Sequence, residues 1–341
     1  MGALHPYLKQ IAAGETLTSR DMEGAVDVVF SGEADDIEIA GLLMGLASRG
    51  ETASEIAGAA RAMRDRAVKI EAPGNVIDTC GTGGDGAHTY NISTAAAIVA
   101  AAAGAKVAKH GNKATSSKSG SSDVLKALGL NLEASPEQVS HCLSETGIGF
   151  LFAPKHHGAT ANVAKARSTL GVRTIFNLLG PLSNPAGARR QVLGVYSKRL
   201  LTVMAEALLE LGADHVMVIH GSDGLDELTT TGPSFVSELK NGQITSYEVT
   251  PEDVGLSRAQ PEDLRGGTAD ENATALRDIL NGTKNAYRDI VLLNAAAALR
   301  VAGVEPTLAD GVKRAAVAID SGAGLATLEA LVAQSHQSAA E

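Results

Sequence analysis

Apolar and polar positions follow a helical period up to about Val68 and a strand–loop–helix rhythm afterwards. Thr18 with Asp21 reads as a capping box ahead of Met22–Phe30. Thr52 with Glu55 reads as another, opening a helix that runs to about Val68. Between them Ile37–Ser48 is apolar around most of its circumference, which predicts burial on two sides, by its own layer and by another surface. Ala72-Pro73-Gly74 marks a boundary. Beyond it, strands are expected at Val76–Thr79, Lys106–Ala108, Gly149–Phe152, Val192–Tyr196 and Val216–His220. Helices fall between them at Thr94–Ala103, Asp123–Leu128, Ser135–Glu145 with its Ser-Pro-x-Gln cap, and Leu200–Leu211. Such alternation implies a parallel sheet covered by helices. Phe235–Lys240 and Gln243–Val249, joined by Asn241-Gly242, read as a hairpin, because Asn-Gly supplies two positive-φ residues; it adds an antiparallel edge. From Asp270 the chain reads as helices, with Ser335–Glu341 a frayed tail. Strand periodicity is missing between about Pro154 and Gln191, where His157–Arg173 looks helical and a short helix follows, ended by Gly180 and Pro181. The fold class is therefore α/β: a mainly parallel sheet with an antiparallel addition, flanked by helices, plus a smaller all-helical domain.

Composition narrows the function. A chain of 341 residues can bury a large core and form two domains. Its apolar 44% is dominated by small residues, with 37 glycines, 3% aromatics and no Trp, which suits closely packed helices and glycine loops. A net charge of −10 argues against a general nucleic-acid or membrane binder, and scarce aromatics leave few base-stacking platforms. Basic residues concentrate locally, at Lys106, Lys109, Lys113 and Lys118. Cys80 and Cys142 are too few for a disulfide framework and lack metal-site spacing, so Cys80 reads as a small buried residue. The N-terminal residues carry no signal-peptide pattern, and the longest apolar run, Ala95–Ala103, is too short to span a bilayer. The expectation is a soluble cytoplasmic protein.

The candidate chemistry lies in two stretches. Val76–Gly86 is a short buried strand running into a glycine-rich turn, with a helix opening at Asn91. Glycines let the backbone approach an anion and adopt φ > 0, and the helix adds its positive dipole end. Lys109–Asp123 repeats that logic with lysines and a hydroxyl-rich loop ahead of another helix. Two such cradles suggest a ligand with two separate phosphate groups. The spacing is neither GxGxxG nor GxxxxGK[ST], which excludes the dinucleotide fingerprint and the P-loop. On residue types alone, plainer readings stay open. Asn91 or Ser93 could be helix caps, and the serines from Ser117 to Ser122 could solvate a loop and cap Asp123. His110 could be structural, Arg167 a helix-surface arginine, and the adjacent Asp226 and Glu227 solvated charge.

GTGGD at Gly81–Asp85, NIST at Asn91–Thr94 and KHGN at Lys109–Asn112 together resemble the anthranilate phosphoribosyltransferase family, and the likeness extends through most of the chain. The resemblance implies transfer of a phosphoribosyl group from 5-phosphoribosyl diphosphate to anthranilate. It assigns the diphosphate donor to Gly81, Gly84, Asp85, Thr89, Asn91, Ile92, Ser93 and Thr94. The second stretch adds Lys109, His110, Gly111, Asn112, Lys113, Ala114, Thr115, Ser116, Ser117 and Ser121. It makes Lys109, Asn112 and Arg167 catalytic, Lys109 towards the diphosphate and the other two towards the amine and carboxylate of anthranilate. It gives Ser93 to one Mg²⁺ and Asp226 with Glu227 to a second. Resemblance also implies that the chain returns to the helical domain after Phe152. The domains are then 1–71 with about 157–188, and 72–156 with about 189–341. A homodimer through the helical domain is expected, using Ile37, Ile39, Leu42, Leu43 and Leu46. Where related sequences run His-Pro-Ala-Met-Lys, this chain has His157-Gly158-Ala159-Thr160-Ala161, with Arg167 still in frame. The alternatives are a nucleoside phosphorylase of the same architecture and a non-catalytic relative that binds nucleic acid.

Overall fold

The computed structural model describes residues 2–113 and 118–337. Expected donor contacts at Ala114, Thr115, Ser116 and Ser117 therefore lie outside the described residues. A seven-stranded sheet runs β3-β2-β1-β4-β5-β6-β7. Its strands are β1 (Ile77–Asp78), β2 (Val107–Gly111), β3 (Ile148–Phe152), β4 (Arg190–Gly194), β5 (His215–Gly221), β6 (Ser234–Lys240) and β7 (Gln243–Val249). The first five are parallel, and β6 and β7 are antiparallel, with Asn241 and Gly242 at φ 52° and 75° in the hairpin turn. Ile77 pairs with both Val107 and Arg190, so the winding reverses between β1 and β4. In open α/β sheets the crevice outside the carboxyl ends at such a reversal is where ligands bind.

Alternating residues feed two cores, as period 2 requires. Val192, Met217 and Ile219 join the core built by helices Ile92–Ala102 and Ala286–Ala302. Leu193, Val216 and Val218 join the core of the N-terminal helices and Leu200–Glu210. In that second layer Ala53–Asp65 packs on Ser19–Ser31 and on Leu200–Glu210. Ala161–Leu170 packs on Asp36–Arg49, and Phe176–Leu182 packs on Ala53–Asp65. The caps form where expected: Thr18 accepts from the Asp21 N–H, and Thr52 with Glu55 and Ser135 with Gln138 make capping boxes.

Several expectations are corrected. Ile39, Leu42, Leu43 and Leu46 are buried inside the chain itself, because helices His5–Ala12 and Ala161–Leu170 cover them; only Ile37, 83% exposed, remains available to a partner. Gly180 and Pro181 do not end a helix but lie inside Phe176–Leu182. Side chains from elsewhere take up the carbonyls at its end: His110 Nδ1 on Gly180 at 3.0 Å, Gln191 Nε2 on Pro181 at 2.8 Å and Arg64 Nε on Leu182 at 2.6 Å. The tail is not frayed at Ser335, which is helical and buried, its Oγ accepting from the Asn131 N–H at 3.0 Å. The helices expected from Thr94 and Asp123 start at Ile92 and Ser121, and the strand expected at Val192–Tyr196 lies two residues earlier. Among the described residues no single helix is long and apolar enough to cross a membrane.

Candidate active site

The glycine-rich turn leaves β1 at the sheet's point of reversal. Gly83, Gly84 and Gly86 sit at φ 64°, 76° and 74°, a conformation that other L-residues rarely hold. The turn is stitched to the end of β4: the Thr82 N–H donates to the Gly194 carbonyl at 2.8 Å, and the Tyr196 N–H donates to Thr82 Oγ1 at 3.1 Å. Gly194 allows the loop after β5 to lie directly on β4, since a Cβ there would fall 1.6 Å from the Asp226 carbonyl oxygen. That approach brings Asp226 to the turn, where its Oδ2 accepts the Gly83 N–H at 2.7 Å.

Glu227 reaches the start of the Ile92 helix, its Oε1 accepting the Ser93 N–H at 3.1 Å. The cap expected of Asn91 or Ser93 is thus supplied from another loop, and Asn91 makes no side-chain cap. A carboxylate suits the positive end of a helix. Yet burial, and then the neighbouring carboxylates Asp85 and Asp226, push Asp226 and Glu227 well above the usual carboxylate range. The acidic group is gathered against its own repulsion. Asp223, close by in sequence, is instead bound to the hydroxyls of Thr229 and Thr231, both at 2.6 Å, and holds its own loop.

Lys109 lies across from this group on β2, 3% exposed. Its Nζ donates to the Thr79 carbonyl at 3.1 Å, and to Thr79 Oγ1 and Ser93 Oγ at 3.3 Å each. Behind it Asp78 is fully buried and ties three segments together. Oδ1 accepts the N–H groups of Thr79 at 2.7 Å and His110 at 3.1 Å, and Oδ2 accepts Asn184 Nδ2 at 2.7 Å. Burial raises Asp78 to about 6 against the opposing pull of the Lys109 charge and these hydrogen bonds. Asp78, Cys80 and His110 come within 4.8 Å of one another, a spacing a metal could use. The donors do not suit one: both Asp78 oxygens are hydrogen-bonded, and burial and Asp78 push the Cys80 thiol up, keeping it protonated. His110 has its proton on Nδ1, facing the Gly180 carbonyl. Burial first, and then His157, whose ring lies 5.1 Å away, hold His110 down to about 3, so it is neutral.

The remaining expected residues divide by what they touch. Asn112 Oδ1 accepts the Lys113 N–H at 2.7 Å, and its carbonyl accepts Ser121 Oγ at 3.2 Å, which ties the end of β2 to the helix from Ser121. Gly111 ends β2, and Lys113 is exposed with Nζ 5.9 Å from the Phe152 ring centre. Ile92 and Thr94 are buried, the Ile92 N–H already bonded to the Tyr90 carbonyl at 2.9 Å. Thr89 bridges to Arg265. The Asn91 amide is used twice by the protein, accepting from Asn272 and donating to the Ser119 carbonyl. Arg167 projects from Ala161–Leu170, half-buried over the Phe176 ring at 5.7 Å, with no carboxylate partner among the described residues.

Comparison with known proteins matches residues 73–325 to the a/b domain of a glycosyl transferase family and residues 5–67 to its helical bundle domain. The chain is 52% identical to anthranilate phosphoribosyltransferase of Nitrobacter hamburgensis, over 98% of this chain and 100% of that protein. It is 55% identical to that of Rhodospirillum rubrum, over 96% of this chain and 94% of that one. The chain belongs to the anthranilate phosphoribosyltransferase family. Among solved structures, the family's enzyme from Thermus thermophilus superposes with a TM-score of 0.92 at 46% identity, covering 97% of this chain and 99% of that one. The Saccharomyces cerevisiae enzyme in complex with PRPP and Mg gives 0.89 at 30% identity, covering 97% of each.

Beyond the three family motifs, the site uses residues that sequence reasoning did not single out. Asp78 and Asn184 anchor the β1–β2 end, and Asn272 holds Asn91. Arg173 lies over Tyr196 at 4.0 Å and donates to the Gly84 carbonyl. Asp78 alone carried a signal, as a charge inside an apolar strand; the others sit in helices or loops where polar residues are ordinary.

Proposed function

We propose that the chain transfers the 5-phosphoribosyl group of 5-phosphoribosyl diphosphate to the amine of anthranilate, giving N-(5-phosphoribosyl)anthranilate and diphosphate. The ribosyl carbon loses its bond to the diphosphate oxygen and gains one to the amine nitrogen, which gives up a proton. The observation that carries this reading is the gathering of Asp85, Asp226, Glu227 and Ser93 at the glycine turn and the start of the Ile92 helix, beside Lys109. Carboxyls raised in pKa by burial and then by one another are a donor set that suits a hard divalent cation. Ser93, Asp226 and Glu227 would hold Mg²⁺, two ions in all. When bound, the ions neutralise the diphosphate.

The chain's own groups do the rest. Lys109 holds a positive charge on the diphosphate side, where negative charge develops as the bond breaks. The glycine turn and the Ile92 helix add their N–H dipoles. Asn112 orients the amine, and Arg167, with no ion pair among the described residues, is free to take the anthranilate carboxylate in its guanidinium fork. Mixing the protein with anthranilate, 5-phosphoribosyl diphosphate and Mg²⁺ should quench anthranilate fluorescence with equimolar diphosphate release. Turnover of a nucleoside with inorganic phosphate instead would overturn the reading.

The same inference takes residues 1–71 with about 157–188 as one domain and 72–156 with about 189–341 as the other, in a cytoplasmic homodimer joined through the helical layer. Ile37 is the exposed apolar residue that supports the contact. Light scattering should report a dimer that Ile37→Glu weakens; a monomeric wild type would remove the dimer from the account.

A further inference from the structure

We infer that Asn272 is a positioning residue for the diphosphate-donor half of the site, acting through Asn91; the inference rests on the function proposed above. The stretch Leu264–Asn272 braces the loop that leads into the Ile92 helix. The Tyr90 N–H donates to the Leu264 carbonyl at 3.1 Å, and the Gly266 N–H donates to the His88 carbonyl at 2.9 Å. The two backbones lie so close that a Cβ on Gly266 would fall 2.4 Å from the Thr89 carbonyl oxygen.

From this brace a one-way relay of amides crosses the site. The Gly267 N–H donates to Asn272 Oδ1 at 2.7 Å, Asn272 Nδ2 donates to Asn91 Oδ1 at 2.9 Å, and Asn91 Nδ2 donates to the Ser119 carbonyl at 3.2 Å. A backbone N–H can only donate and a carbonyl can only accept, so the two ends fix the direction of both amides. Asn272 is 2% exposed, and water cannot replace a lost partner cheaply. Ser119 lies in the second anion cradle, next to Ser121, which is bonded to the Asn112 carbonyl. The relay therefore holds the second cradle to the first at a fixed spacing, as a ligand with two phosphate groups requires.

Asn272→Asp tests the direction of the relay while keeping shape. Aspartate still accepts from Gly267, but it turns a donor into an acceptor against Asn91. Asn91 must then either face that oxygen or flip and oppose the Ser119 carbonyl. The KM for 5-phosphoribosyl diphosphate should rise about tenfold, the size of one lost hydrogen bond. The anthranilate KM and kcat should stay within about twofold, less than the effect of one such bond. Tyr287→Phe, which loses only a 3.5 Å contact to the Asn91 carbonyl, should match wild type. If the aspartate variant does not fold, Asn91→Asp reads the relay from its other end, keeping the Asn272 bond and opposing Ser119. Unchanged donor KM in an active enzyme overturns the inference, as does an equal loss for both substrates with a lowered melting temperature. A wild type that does not consume anthranilate overturns the proposed function instead.

Discussion

Glu238, on β6, and the pair Asp226 and Glu227, in the loop after β5, are buried or half-buried carboxylates of opposite character. Glu238 on β6 is 4% exposed and surrounded by donors: His215 Nε2 at 2.7 Å, Arg300 Nε at 3.0 Å and Nη2 at 3.1 Å, and Tyr247 Oη at 2.7 Å. Burial pushes it up, but those hydrogen bonds and the Arg300 charge outweigh burial and hold Glu238 down to about 2. Asp226 and Glu227 have one backbone N–H each, other carboxylates as neighbours, and raised pKa values. The first cluster is a finished structural joint between the sheet and the Ala286–Ala302 helix. The second lowers the stability of the chain that carries it, and such arrangements belong to binding sites.

The linkage signs follow. Glu238, depressed, contributes stability that is full above its unfolded value of about 4.3 and is lost as pH falls towards its folded value. Asp226 and Glu227, raised, favour the folded state at low pH, and that advantage is lost as pH rises through their folded values. Removing the two groups should therefore have opposite consequences. Asp226→Asn with Glu227→Gln should lower kcat by about 10² or more, the scale of lost electrostatic stabilisation, and shift the Mg²⁺ dependence. Wild-type activity throughout a Mg²⁺ titration would break the comparison on its functional side. Glu238→Gln should lower stability in denaturant melts by about 3–5 kcal/mol by leaving a half-buried guanidinium without its partner. Its kcat/KM per folded molecule should be unchanged; lost activity in fully folded protein would make that cluster part of the site.

Two smaller tests sharpen the acceptor side. Arg167→Ala should raise the anthranilate KM by an amount corresponding to about 1.5–3 kcal/mol, with less change for 5-phosphoribosyl diphosphate. Equal changes for both would give Arg167 a folding role. Gly158 opens the short 3₁₀ turn Gly158–Thr160, and a Cβ there meets nothing within 4 Å. Proline suits the start of a helical turn, but His157 before it sits at ψ 53°, outside the range a residue preceding proline prefers. Gly158→Pro should then stabilise by about 0.4 kcal/mol, the low end for such changes, and a drop in melting temperature would show that the His157 conformation decides.

Much of this was legible from local pattern. The apolar run Val216–Ile219, the Asn241-Gly242 turn and the capping residues Thr18, Thr52 and Ser135 are short-range signals, and they appear where expected. The GTGGD, NIST and KHGN runs located the strand ends at the sheet's reversal, where the candidate site lies. What was misread depends on partners distant in sequence. Gly180 and Pro181 lie inside a helix whose last carbonyls are taken by His110, Gln191 and Arg64, which arrive from three other elements. Leu42, Leu43 and Leu46 looked available to a second subunit because nothing local showed that Ala161–Leu170 would cover them. Asn272 lies in a helix whose sequence suggests only an amphipathic surface element, and its role exists only through Asn91.

If Asp226 and Glu227 are gathered for a cation rather than for the fold, thermal melting shows it most directly. Wild type and the Asp226→Asn/Glu227→Gln variant would be melted at neutral pH with and without Mg²⁺ and diphosphate. Without the ions the variant should melt at or above the wild type, because a repulsion has been removed. With them the wild type should gain stability by mass action and the variant should not. A variant that melts well below wild type without the ions, and gains as much as wild type with them, would contradict the account.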